Sequence, residues 1–136
     1  MKRFVKKLRD RRGSVAVEFG LTAPIMFLLI FGLIDFSRAY NTIHDLSAAV
    51  REGARYASTL EDPLADAQLI RDRVKYFAVT FAGETVTDAM IEVEFVDPYQ
   101  YVTVRIRNYP FDFLALPGGP INVTRQATMR WELAGI

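Results

Sequence analysis

The sequence predicts an α+β protein: one long N-terminal helix apolar enough to cross a membrane, then a second helix and a small antiparallel sheet of about three strands. Three observations carry this prediction. From Val15 to Ile34 the chain carries one ionisable side chain, Glu18, and about twenty such residues at 1.5 Å per helical residue cover a hydrocarbon core of roughly 30 Å. Beyond Ile34 the apolar positions keep a helical spacing, and from Met90 their period changes to two. The chain divides accordingly into a basic leader (1–13), a membrane helix (14–34) and one α+β domain (35–136) that includes the continuation of the helix.

The leader holds Lys2, Arg3, Lys6, Lys7, Arg9, Arg11 and Arg12 against Asp10, a local charge of about +6. By the positive-inside rule it stays cytoplasmic and the chain after Ile34 lies across the membrane. Since the whole chain is formally +1, everything after Gly13 is acidic, which argues against a nucleic-acid partner. A secretory signal peptide cleaved after Ala39 is an alternative, because in Ser37-Arg38-Ala39 the serine and the alanine offer a signal peptidase small residues at plausible positions. The apolar run is too long for that reading, and an embedded Glu18 has no purpose in a discarded peptide.

Within the span, Glu18 needs a partner to offset its burial in lipid. Pro24 removes one helical hydrogen bond and presses on the carbonyl of Gly20, so a kink is expected there. No breaker follows until Asp62-Pro63, which predicts a continuous helix to Thr59, roughly 70 Å long at 1.5 Å per residue. Its stripe of Phe36, Ala39, Ile43, Leu46, Val50, Gly53 and Ala57 faces a core or a partner helix. Ala49, Gly53 and Ala57 form a groove of small residues, and the chain's own sheet is its expected occupant.

Asp62 is expected to cap a second helix running to about Ala82, with Ala67, Ile70, Val74, Phe77 and Phe81 inward, and Arg71, Asp72, Arg73 and Lys75 on a solvated face. Ile91, Val93 and Phe95, then Val102, Val104 and Ile106, alternate with polar residues around the turn Asp97 to Gln100. Setting Val96 opposite Tyr101 places Glu92 opposite Arg105 on the exposed face. A loop from Tyr109 to Pro120 leads to a third strand with Ile121, Val123, Ala127, Met129 and Trp131 on one face. Trp131 is expected to be the largest contributor to the core.

The absence of cysteine excludes disulfides and thiolate chemistry, and a single histidine makes a dedicated zinc site improbable. His44 stands beside Asp45 without a nucleophile or ligand set, so it reads as a surface histidine. Neither catalysis nor a cofactor is expected.

The segment Gly13-Ser14-Val15-Ala16-Val17-Glu18-Phe19 resembles the prepilin peptidase site of type IV pilin-like proteins. That resemblance implies cleavage after Gly13, with Ser14 as the new N-terminus, Glu18 as the fifth mature residue, and a helix loosened around Pro24 inside filaments. The residues allow a mechanism: the freed amine of Ser14 lies one helical turn from Glu18, so a charge pair can form within a subunit or between neighbours. The string from Leu46 to Ala57, ending Arg-Glu-Gly-Ala-Arg-Tyr-Ala, narrows the resemblance to TadE-like proteins. It implies a minor pilin or pseudopilin of the tight-adherence (Flp, type IVc) pilus system, serving adhesion and biofilm formation from the inner membrane; the rival readings are a membrane-anchored periplasmic interaction domain that is never processed and the soluble domain released after Ala39. The implied partners are a prepilin peptidase, other TadE-like, TadF-like or TadG-like proteins, the major Flp pilin, the membrane assembly platform and the lipid bilayer.

Overall fold

The computed structural model describes residues 11–79, 85–96, 100–115 and 118–132. The leader up to residue 10, Phe81, Gly83 and the turn Asp97 to Tyr99 lie outside them. The order of elements is α1 (Arg11–Ser58), α2 (Ala67–Phe77), β1 (Ile91–Val96), β2 (Tyr101–Phe111) and β3 (Ile121–Arg130), the α+β arrangement expected.

Helix α1 runs 48 residues without interruption, through Pro24 included. Its two halves differ in what surrounds them. From Gly13 to Ile34 nearly every side chain is exposed, among them Val17, Leu21, Leu29 and Leu33. From Leu46 to Ala57 the inward side chains Leu46, Ala49, Val50, Ala54 and Ala57 are fully or almost fully buried. The buried stripe does not begin at Phe36, which is 69% exposed; Asp35 and Thr42 take the inward positions instead.

Helix α2 is shorter than the periodicity predicts. Asp62 does cap a turn, its Oδ1 accepting from the backbone N–H of Leu64 and Ala65 at 3.1 Å, but that turn closes on Asp66 before regular helix begins at Ala67. Ile70 and Val74 face α1, whereas Phe77 is 40% exposed because the helix ends there and Ala78 turns inward in its place.

The sheet has the order β1-β2-β3, antiparallel throughout. Val96 pairs with Tyr101 and Glu92 with Arg105, the register expected from the alternation. Strand β2 then continues through the stretch that reads as loop. Between the Ile106–Arg125 and Tyr109–Val123 pairs β2 holds one residue more than β3, a bulge at which Asn108 adopts φ 52°. Asparagine tolerates that left-handed conformation better than most residues. The extra residue shifts the alternation by one, so Tyr109 and Phe111 join Val102, Val104 and Ile106 on the buried face. Pro110 is accommodated because β1 pairs only with Tyr101 to Ile106, leaving β2 an edge strand at that point.

These two aromatic rings, and not Trp131, are the largest fully buried side chains. Trp131 lies just past β3, half-buried, where its indole N–H donates to Leu60 O at 2.8 Å and its ring meets Phe95 at 5.4 Å. It closes the edge of the core at the end of α1, where the backbone N–H of Glu132 also donates to Ser58 O.

Candidate functional site

Three places along α1 make up the candidate site: the exposed apolar half, the point where it meets the domain, and the small-residue segment under α2. In the first, Gly13 and Ser14 lie in the opening turns of α1, exposed, with nothing within 4 Å of a Cβ built on Gly13. Glu18 follows one turn after Ser14 on the same helix and borders a shallow depression with Val15, Phe19 and Thr22. Among the described residues its carboxylate has no hydrogen bond or ion pair; the Thr22 hydroxyl donates to its backbone oxygen at 3.0 Å. Gly20, with open space where a Cβ would be, and Pro24 stay within regular helix.

The second place was not legible in the sequence. Asp35 is fully buried although it follows directly on the apolar run. Its Oδ1 accepts from the backbone N–H of Leu114 at 2.8 Å and its Oδ2 from that of Ala115 at 3.0 Å. Arg38, one turn on, donates to Asp35 at 3.3 Å and to Asp112 O at 3.4 Å, and its guanidinium lies 5.5 Å from the centre of the Phe111 ring. A carboxylate with two amide donors and a guanidinium is well compensated for its burial. The one available signal is an acid immediately after an apolar span, and its partner loop lies 79 and 80 residues away.

The third place is the segment Arg51 to Ala57. Gly53 is buried against α2: a Cβ there would overlap Val74 Cγ2 and come within 3.4 Å of Val104 Cγ1. The groove of Ala49, Gly53 and Ala57 is thus occupied within the chain, by α2 as well as by the sheet. Next to it Glu52 accepts from Arg55 at 2.8 Å and from Arg73 of α2 at 2.9 Å. The bonds from Arg55 and then Arg73 outweigh desolvation and lower the Glu52 pKa to about 2. Arg73 keeps its side chain 41% exposed, on the solvated face that its helical position suggests, while its guanidinium also covers the rings of Phe77 at 5.0 Å and Tyr56 at 5.7 Å. Lys75 bridges Asp72 and Asp88, each at 2.8 Å, tying α2 to the turn before β1. Its ammonium, bonded to both acids, lowers the pKa of each and has its own raised. His44 is exposed and stacks obliquely on Tyr40 at 4.5 Å.

Residues 13–55 match the family model described as TadE-like protein. The match takes in the Gly13-to-Glu18 segment, the exposed apolar helix, Asp35 and most of the segment that packs under α2. It is consistent with a protein of the tight-adherence pilus system. No curated protein and no solved structure matches the chain.

Proposed function

With residues 13–55 TadE-like, we propose that the chain is a non-enzymatic minor pilin or pseudopilin of the tight-adherence (Flp) pilus, held by α1 in the inner membrane until a prepilin peptidase cleaves after Gly13. The observation that carries this reading is the coincidence of that match with a helix whose first half is apolar and exposed and whose second half is the spine of a folded domain. A surface of that kind requires lipid or neighbouring helices around it.

Cleavage would free the amine of Ser14 one turn from Glu18. In the low dielectric of the bilayer or of packed helices, a carboxylate without a partner would then gain one, in its own subunit or in the next. Removal from the membrane and entry into the fibre would thus be coupled to one charge pair. By this reading the partners are the peptidase, other TadE-like, TadF-like or TadG-like proteins, the major Flp pilin and the assembly platform. The C-terminal domain would face the periplasm, and the fibre would serve adhesion and biofilm formation.

Release of a soluble domain by cleavage after Ala39 is disfavoured by the geometry of the junction. It would remove Asp35 and Arg38, which together hold the 112–115 loop. Glu18→Gln tests the assembly role: N-terminal processing should be retained while incorporation into surface fibres falls. Normal fibre incorporation by that variant would refute the charge-pair step.

A further inference from the structure

Leu114 is 69% exposed on a loop that the structure holds firmly to the helix at the domain end of the apolar run. Its backbone N–H and that of Ala115 are both bound by Asp35, the residue directly after Ile34. Phe111 anchors the loop from below, buried in the core with the Phe113 ring edge-on at 5.4 Å and Arg38 over its face. Phe31 and Leu28, one and two turns before Asp35 on the same face of α1, are 43% and 62% exposed. The exposed apolar face of the helix therefore leads up to the loop.

We propose that the Phe113 to Ala115 loop is a second membrane contact, seated in the interfacial layer of the bilayer beside the point where α1 leaves it. The proposal rests on Val15 to Ile34 spanning the membrane. If that stretch fills a core of roughly 30 Å, residue 35 lies at its edge, and a loop bonded to residue 35 lies there too. Irregular backbone is excluded from the adjoining hydrocarbon because its amides would lose water without gaining a partner. Here the amides of Leu114 and Ala115 are satisfied by a carboxylate, whose charge is balanced by Arg38. Helix and loop together give two points of contact. One helix alone leaves the domain free to rotate about its axis, whereas two fix which face of the sheet and of α2 is presented to neighbours.

The chain has no cysteine, so single-cysteine variants report single positions. Leu114→Cys, Ile34→Cys and Glu61→Cys would each be labelled with bimane on the full chain. Each would be reconstituted in phosphatidylethanolamine and phosphatidylglycerol vesicles containing headgroup-proximal nitroxide lipid. Quenching at position 114 should approach that at position 34 and exceed severalfold that at Glu61, at the far end of the domain. With Asp35→Ala added, quenching at 114 should fall towards the Glu61 level while that at 34 is kept.

Quenching at 114 no greater than at 61, with 34 still quenched, overturns the loop contact and leaves the span intact. A label at 114 shielded from both nitroxide lipid and aqueous iodide also overturns it, assigning the loop to a protein partner. Absence of quenching at 34 removes the span and the proposal together. Unchanged quenching at 114 in the Asp35→Ala chain overturns the positioning role of Asp35.

Discussion

Val74 of α2 packs on the bare backbone of Gly53 in α1, so closely that any side chain at position 53 would overlap its Cγ2 methyl. Gly53→Ala should gain about 1 kcal/mol of helix propensity and lose about 1–3 kcal/mol to overpacking, because a β-branched side chain in a helix has no second rotamer to move into. A net loss is expected. Urea unfolding of the full chain in micelles, followed by circular dichroism, should show a lowered midpoint. Adding Val74→Ala should recover part of it, since the two substitutions share one contact.

Glu52 makes the same helix pair sensitive to acid. Its pKa of about 2 in the folded chain lies below the ordinary value of 4.5, so the unfolded chain binds the proton more tightly. The stabilisation is therefore complete above about pH 4.5 and is lost as the pH falls from there towards 2. Thermal unfolding followed between pH 6 and pH 2.5 should show this loss, and Glu52→Gln should flatten the profile in that window. Removing Arg73, which bonds Glu52 and covers two rings, should lower stability by about 1 kcal/mol at neutral pH.

Asp35 should govern the loop far more than the domain. Hydrogen bonds to a charged group contribute about 1.5–3 kcal/mol each. In Asp35→Ala, amide exchange at Leu114 and Ala115 should accelerate by about tenfold or more, while amides in the centre of β2 change little. Equal acceleration throughout β2 would mean that Asp35 supports the whole fold and not this loop.

Trp131 is the single tryptophan and reports on the end of α1. Trp131→Phe keeps the contact with Phe95 but removes the donor to Leu60 O, and should destabilise the domain by about 1 kcal/mol. In the native chain, its fluorescence should change together with the helical signal on unfolding, because it closes the same core.

What was legible in the sequence was local. The register of β1 on β2 follows from strict alternation on both sides of one turn, and the length of α1 from the absence of a breaker before Asp62. The bulge at Asn108 broke that logic: one inserted residue moved Tyr109 and Phe111 to the core side, and Pro110 reinforced the impression of a loop. The ion pair of Arg73 was not legible because its partner, Glu52, is 21 residues away on another helix. Asp35 is the extreme case, because its two amide donors come from a loop 79 and 80 residues away.

We propose that this chain is a precursor processed as pilins are, and the N-terminus of the mature protein decides it. Mass spectrometry of the membrane-fraction protein, with and without the cognate prepilin peptidase, should find Ser14 at the N-terminus only when the peptidase is present. An intact Met1 under both conditions, or a chain beginning at Tyr40, would rule out prepilin processing.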